Sequence, residues 1–208
     1  MALRLLLTGI LLLFSLFELW AQPLFKKTRY STDQGLSHNT VLGITMDERG
    51  FLWIATLDGL NRFDGLQMKV YRPDEKDSLS LSDGFIHGIH QHESGNLWIS
   101  TRDGGINIFE PVTETFKGFK PDGANLPDRQ ISLLYEDSKA NYWVAFFGHS
   151  TGILDTEASI YYPANIVDVE TERRRTSVNS FLEFANGSML MSTLDGLFFL
   201  PKKRSGSL

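Results

Sequence analysis

The chain has 208 residues, of which 42% are hydrophobic, 12% aromatic and 22% charged, and this composition is typical of a folded rather than a disordered protein. Its formal net charge of −5 argues against nucleic acid as a partner, because proteins that bind polyanions are normally basic. The absence of cysteine excludes disulfides, thiolate catalysis, cysteine zinc sites and lipidation of an N-terminal cysteine.

The first 21 residues have the features of a secretory signal peptide. A positively charged residue precedes a mostly apolar run from Leu5 to Phe17, which has the length of a signal-peptide core. Ala21 is a small residue suited to precede a cleavage site. We therefore expect the mature chain to begin at Gln22 and to be periplasmic.

The alternative is an uncleaved anchor in the inner membrane that spans residues 5–20. Such an anchor would place Glu18 inside the bilayer, and the apolar run is short for a transmembrane helix, which needs about 20 residues. Cleavage is therefore the favoured prediction, and no membrane contact is expected once the signal has been removed.

A repeat of about 45 residues runs through the rest of the chain. Its clearest copies are the segments 50–59 and 95–104, which share Gly, Leu-Trp-Ile, Thr and Asp-Gly at matching positions. Four columns keep this register, and their members are Trp53, Trp98 and Trp143; Leu36, Leu81 and Leu126; Val41, Ile86, Ile131 and Val178; and Ile44, Ile89, Leu134 and Phe181. Columns that share one register over so many residues indicate a structural repeat.

Each repeat is predicted to form four short antiparallel strands. In the first repeat these strands cover residues 40–47, 51–56, 60–63 and 68–71. Asp58-Gly59 is a strong hairpin signal, because both residue types accept a positive φ. No segment has the apolar period of a helix. Four strands in every 40–50 residues predict an all-β fold made of β-propeller blades.

The predicted domain is a partial β-propeller over residues 22–200, followed by a polar tail at 201–208. Its four blades are expected at about residues 39–73, 84–121, 129–163 and 177–200, and the second strand of each blade at 51–56, 96–101, 141–146 and 188–193. Residues 24–31 are predicted to be a leading outer strand. That strand could complete the fourth blade and close a ring of four. In a longer parent it would pair further along and leave an open arc with an exposed edge, which is the arrangement we favour.

Three segments, Tyr30–Asn39, Asp47–Thr56 and Gly59–Gly65, resemble the two-component regulator propeller repeat. They look like the first blade of the periplasmic sensor domain in hybrid two-component systems of Gram-negative bacteria that degrade glycans. The resemblance implies a non-catalytic sensor module for glycan-derived ligands. Members of that family usually join propellers of about seven blades to a membrane helix and a histidine kinase. This chain has about four repeats and no kinase motif, so we expect it to be an N-terminal fragment of a sensor.

The resemblance also implies the partners of the chain. We expect an oligosaccharide ligand, and either the missing propeller blades or a second sensor chain, as binding partners. No cofactor is expected. The sequence contains no motif of a nucleophile elbow, a phosphate loop or a metalloprotease. A propeller lyase and a pure protein-interaction scaffold remain as alternative functions.

Candidate ligand-binding residues are predicted at one end of the propeller, on the connections between blades and the hairpins between second and third strands. These segments lie at the same end of every blade, and they diverge between repeats as binding loops do. The candidates are His38, Asn39, Asp83, Arg102, Asp128, Arg129, His149, Arg173, Arg174 and Arg175. The three consecutive arginines suit a carboxylate or sulfate of an acidic glycan. The alternative is a solvated loop whose charge is balanced by Glu170 and Glu172.

The recurring tryptophans are predicted to pack between neighbouring blades, because a large ring fills the wedge between twisted sheets. Sugar stacking is the alternative role for them. His87, His90 and His92 lie on one predicted strand, but no cluster of carboxylates or cysteines completes a coordination set. No metal site is therefore predicted.

Overall fold

The computed structural model describes residues 27–119, 130–147, 151–156, 160–164 and 177–201. Over these ranges the chain is almost all β-strand and turn, with one 3-10 turn at Thr32–Gln34. None of the described residues forms a helix long and apolar enough to cross a membrane. The prediction of an all-β fold is confirmed, whereas the predicted signal peptide falls outside the described residues.

Four sheets follow one another along the chain and form the blades of a β-propeller. Blade one contains β1 (Val41–Met46), β2 (Leu52–Thr56), β3 (Gly59–Phe63) and β4 (Met68–Tyr71). Blade two contains β5 (Ile86–Gln91), β6 (Leu97–Thr101), β7 (Ile106–Glu110) and β8 (Thr115–Phe119). Blade three contains β9 (Ile131–Glu136), β10 (Tyr142–Phe146), β11 (Thr151–Asp155) and β12 (Ile160–Pro163). Blade four contains β13 (Val178–Glu183), β14 (Met189–Thr193) and β15 (Gly196–Leu200).

The second strand of every blade begins within one residue of its predicted start and ends where it was predicted to end. The leading outer strand predicted at 24–31 is different. Its described part, residues 27–31, contains no strand, and Ser31 instead caps the 3-10 turn. Residues 24–26 lie outside the described ranges.

All strand pairs within the blades are antiparallel, and their register fixes the polarity of each blade. Val41 pairs with Thr56 and Leu60 pairs with Tyr71, so the β2–β3 hairpin and the connections between blades lie at one end. Met46 pairs with Leu52, so the turn between the first and second strands lies at the other end. We call these the hairpin end and the turn end, marked in blade one by Asp58 and by residues 47–51.

Apolar side chains of neighbouring blades meet in layers that form the core. Between blades one and two, Trp53 and Leu60 pack with Ile86, Ile99 and Phe109, and all five are essentially inaccessible to solvent. Burial of such a side chain stabilises the fold by about 1.5–3 kcal/mol. The layers between blades two and three and between three and four are built in the same way.

The tryptophan column occupies these layers. Trp53 and Trp98 are buried, and Trp143 is partly buried against blade four. Trp53 meets Phe109 of blade two edge to face, with ring centroids 5.0 Å apart. The predicted burial between blades is therefore confirmed for Trp53 and Trp98, and partial for Trp143.

The outer faces of blades one and four are exposed. Phe181 is 9% exposed against blade three, whereas Ile44, at the same repeat position in blade one, is 68% exposed. Leu60 is 0% exposed beneath blade two, whereas Leu197, at the same position in blade four, is 66% exposed. Among the described residues, these faces lack the cover that a neighbouring blade gives to the same positions elsewhere.

Candidate functional site

Two of the predicted ligand-binding residues lie at the hairpin end of blade one. The backbone N–H of Thr40 donates to Nδ1 of His38 over 2.9 Å, and the backbone N–H of Thr32 donates to Oδ1 of Asn39 over 3.0 Å. His38 is partly buried and Asn39 is exposed, and each side chain is held by the local backbone. The amide nitrogen of Asn39 also donates to the Thr32 hydroxyl over 3.5 Å, so the local contacts orient both side chains.

Two more candidates come together at the hairpin end of blade two. The carboxylate of Asp83 accepts hydrogen bonds from the backbone N–H groups of Phe85 (3.0 Å) and Asp103 (2.7 Å). Nε of Arg102 donates to the Asp103 carboxylate over 2.9 Å, and its guanidinium lies 4.6 Å from the centroid of the Phe85 ring. The structure thus places Asp83 and Arg102 in one cluster, tied together through Phe85 and Asp103.

The remaining candidates, Asp128, Arg129, His149, Arg173, Arg174 and Arg175, lie outside the described residues. His87 lies beside the cluster at the same end, between Phe85 and Phe147, with ring centroids 4.7 Å apart in each case. Burial, followed by the positive charge of Arg102, lowers the pKa of His87.

A polar clamp that sequence reasoning missed holds this end of the first two blades. Ser37 and Asn61 exchange two hydrogen bonds of 2.8 Å, and the Ser37 hydroxyl also contacts the Thr56 hydroxyl at 2.7 Å. Ser82 and Asn107 repeat the exchange in blade two, at 3.1 and 2.7 Å. The spacing of the two serines, 45 residues, was the available signal. Because Asn61 and Asn107 are buried and hydrogen-bonded, the clamp supports the loops instead of offering groups to a ligand.

At the turn end, an aspartate organises the turns of blades one and three. Asp47 accepts hydrogen bonds from the backbone N–H groups of Arg49 (3.0 Å) and Phe51 (2.9 Å) and from Nε1 of Trp53 (2.9 Å). Asp137 makes the corresponding contacts, including one of 3.1 Å from Nε1 of Trp143. Burial raises the pKa of each carboxyl, but these hydrogen bonds outweigh it, so the pKa of both lies below the usual value.

In blade two the same repeat position is held by His92. Its Nδ1 accepts a hydrogen bond of 2.9 Å from the backbone N–H of Ser94, which keeps the turn closed. Its ring lies nearly parallel to those of Trp98 and Tyr142, at centroid distances of 5.7 and 5.6 Å. At this position blade two therefore has an imidazole in place of a carboxylate, and the imidazole joins an aromatic cluster between blades two and three.

The three histidines of β5 and its following turn point to three different environments. Nε2 of His90 and the Glu136 carboxylate of blade three are 2.5 Å apart, whereas His87 and His92 lie at opposite ends of the blade. Over the ranges that the structure describes, no three metal-ligating side chains converge. Each of the three histidines instead contacts a residue of blade three: His87 meets Phe147, His90 meets Glu136 and His92 meets Tyr142.

Comparisons with known proteins match the first two blades most directly. Residues 35–58 and 80–103 match the model of the two component regulator propeller family. Over 48 residues, which are 23% of this chain, the sequence is 50% identical to a histidine kinase of Formosa agariphila. The matched stretch is 4% of that kinase, so the chain spans a small part of its relative.

Solved structures share the fold. The extracellular domain of a putative one component system from B. thetaiotaomicron has a TM-score of 0.61 at 21% identity, over 79% of this chain and 25% of that chain. Virginiamycin B lyase from Staphylococcus aureus has a TM-score of 0.53 at 14% identity, over 80% of this chain and 56% of that chain. At these identities the likeness establishes the propeller fold alone.

Proposed function

We propose that this chain, two of whose blades carry two-component regulator propeller repeats, is a ligand-sensing module of a two-component signalling protein. The observation that carries the proposal is the pair of matched stretches at 35–58 and 80–103, together with 50% identity to a histidine kinase over 48 residues. The module is exported and periplasmic, and the chemistry of signalling belongs to a kinase domain outside this sequence.

The ligand of this module is an oligosaccharide bound at the hairpin end. The cluster of Asp83 and Arg102 supports this site, because it presents a carboxylate and a half-exposed guanidinium beside the ring of Phe85. Such a combination suits hydroxyl groups and the face of a sugar ring. In the acidic-glycan form of the proposal, Arg173, Arg174 and Arg175 hold a carboxylate or sulfate of the ligand.

The exposed outer faces of blades one and four are contact surfaces for further propeller blades or for a second sensor chain. Their apolar side chains support this assignment, because Leu60 and Phe181, at the same repeat positions, are buried where a neighbouring blade packs on them. A contiguous exposed apolar face of this kind is typical of an interaction surface.

Titration of the full chain with neutral, sulfated and uronate oligosaccharides tests the proposal. Thermal shift and calorimetry should detect binding, and an acidic ligand should bind more weakly as salt is raised, because exposed charge pairs are screened within about 8–10 Å. Substitution of Arg173, Arg174 and Arg175 by alanine should weaken acidic ligands. Substitution of Lys202, Lys203 and Arg204 by alanine is the control, since it removes the same charge elsewhere.

Binding that is insensitive to salt and to the first set of substitutions would remove the acidic-glycan form. Absence of binding to every oligosaccharide would remove the glycan class. The propeller lyase is the second candidate, supported by the fold shared with virginiamycin B lyase. Turnover of virginiamycin B by the full chain would favour that enzyme over the sensor.

A further inference from the structure

A cleft opens between blades two and three at the turn end, opposite the end of the sensing site proposed above. Its volume is about 530 Å³, within the range of roughly 300–1,000 Å³ that small-molecule sites occupy. Glu93, Glu136, Lys139, Tyr142 and Asp155 are among the residues that line it. Its location makes it a separate site that does not depend on the sensing role.

Tyr142 brings a buried hydroxyl to this cleft. The residue is 2% exposed, and its hydroxyl makes no hydrogen bond of ordinary geometry with the described residues. Burial, then the approach of the hydroxyl to the Glu136 carboxylate, and then the negative charges of Glu136 and Glu93 raise the pKa of Tyr142, so the hydroxyl stays protonated and its proton points towards Glu136. The lone pairs of the phenolic oxygen accept no hydrogen bond from the described residues, so a ligand in the cleft can donate one to them.

The charges around the cleft are predominantly negative. Glu93, Glu136 and Asp155 contribute three carboxylates, and Lys139 contributes one ammonium group. Glu93 is exposed on the turn of blade two, and Glu136 lies across the interface on blade three, where it contacts His90. Since the described residues hold no three metal-ligating side chains in one group, this charge suits an organic cation better than a metal ion.

The corresponding cleft between blades one and two is smaller, at about 270 Å³, and its Asp47 carboxylate is already engaged by neighbouring donors. There Asp47 accepts the indole N–H of Trp53 and lies 3.3 Å from Nη2 of Arg49. In blade two, His92 takes the place of that aspartate and forms part of the aromatic wall instead. The departure from the repeat therefore distinguishes the second cleft chemically from the first.

We propose that the cleft between blades two and three binds a protonated amine, which the carboxylates of Glu93 and Glu136 hold against the hydroxyl of Tyr142. The ammonium N–H groups donate to both carboxylates and to the lone pair of the phenolic oxygen. The volume admits an amine on a ring of monosaccharide size.

Three monosaccharides that differ at only one carbon show whether the amine itself is required for binding. Glucosamine carries the ammonium, N-acetylglucosamine carries a neutral amide and glucose carries a hydroxyl at the same position. Calorimetry and NMR titration of the full chain should detect saturable binding of glucosamine and weaker binding, or none, of the other two. Glu93→Gln should weaken glucosamine by up to about fivefold, the size of an exposed charge pair.

Two further variants keep the test independent of folding. Tyr142→Phe should weaken glucosamine with little change in the melting temperature, because the hydroxyl makes no hydrogen bond of ordinary geometry in the free protein. Glu48→Gln, at the same turn position of blade one, is the matched control and should leave binding unchanged. Equal binding of glucose and glucosamine, equal losses for the two glutamate variants, or no saturable binding of glucosamine would each overturn the proposal.

Discussion

One position of the repeat, held by Asp47, His92 and Asp137 in successive blades, determines how the turn end is built. An aspartate there accepts both the amides of the turn and the indole N–H of the tryptophan six residues later. The imidazole of His92 accepts one amide only and offers a flat face to its neighbours. A single exchange of side chain thus converts a closed polar cap into one wall of an acidic cleft.

The hydrogen bonds to Asp47 make stability depend on pH. Because the pKa of its carboxyl is lowered in the folded state, the stabilisation is complete above the ordinary aspartate pKa of about 3.9 and is lost as the pH falls through the folded value. We expect Asp47→Asn to cost about 1–3 kcal/mol at neutral pH, since the amide nitrogen of the new side chain cannot accept the indole N–H.

Thermal melts of both forms between neutral pH and the acid range measure this effect. The difference in stability between wild type and Asp47→Asn should shrink below about pH 4. Glu48→Gln, on the adjacent exposed residue, should show no such convergence. A difference that stays constant down to acid denaturation would contradict the assigned role of the carboxylate.

Trp98 tests the packing role of the tryptophan column. It lies in the layer between blades two and three with Tyr142, Phe119 and His92 around it. Trp98→Ala should cost about 3–5 kcal/mol, as truncation of a large buried aromatic does, and Trp143→Ala should cost less, because Trp143 is only partly buried. Denaturant unfolding measures both. An unchanged stability with lost oligosaccharide binding would instead make Trp98 a ligand-stacking residue.

At the scale of the strand pair, the β2–β3 hairpin depends on Gly59. Its φ is +126°, and a Cβ built there would lie 2.6 Å from the carbonyl oxygen of Tyr71 on β4. Gly65, in the β3–β4 turn, has a φ of +96° and open space around it. Gly65→Ala should therefore cost about 1–2 kcal/mol from backbone strain alone, and Gly59→Ala should cost more. Denaturant midpoints compare the two, and equal costs would contradict the close approach of β4.

The sequence sufficed to predict the strands, because their signals are local. Short, nearly continuous buried runs that follow Gly-containing turns set the ends of β2 and β6, and the Asp-Gly pairs indicated the hairpins. The prediction of a leading strand was wrong for an equally local reason. Ser31 and Gln34 form a capping box, in which Ser31 accepts from the turn and Gln34 accepts the N–H of Ser31, and this pairing competes with an extended strand. The Ser-x-x-Gln pattern was present in the sequence.

The cleft between blades two and three was harder to predict, because it depends on contacts between blades. His90 and Glu136 are 46 residues apart and meet only after two blades have packed. Nothing in the order of residues revealed that the Tyr142 hydroxyl would be buried beside the Glu136 carboxylate. The break in the aspartate column at His92 was the one local signal of a difference there.

Across the described residues, the apolar layers between blades are built from the same repeat positions. Ile89 and Phe181, of the Ile44 column, pack on the preceding blade, and Leu60 packs beneath the following one. This regularity makes the apolar layers of neighbouring interfaces alike, as in other repeat architectures, where stability is approximately a sum of repeats and their contacts. The same regularity identifies the apolar positions that are exposed at blades one and four, among them Ile44 and Leu197.

Leu60 and Leu197 therefore provide a matched pair. Both are leucines at the same repeat position, but Leu60 is buried and Leu197 is exposed. Leu60→Ala removes a buried side chain next to Trp53 and should cost about 2–5 kcal/mol. Leu197→Ala changes an exposed side chain and should stay within about 0.5 kcal/mol. Equilibrium unfolding of the full chain, repeated at several protein concentrations, measures both. Similar costs at all concentrations would mean that this chain itself covers the face of blade four. A cost for Leu197→Ala that grows with concentration would mean that a second copy covers it, because association stabilises by mass action.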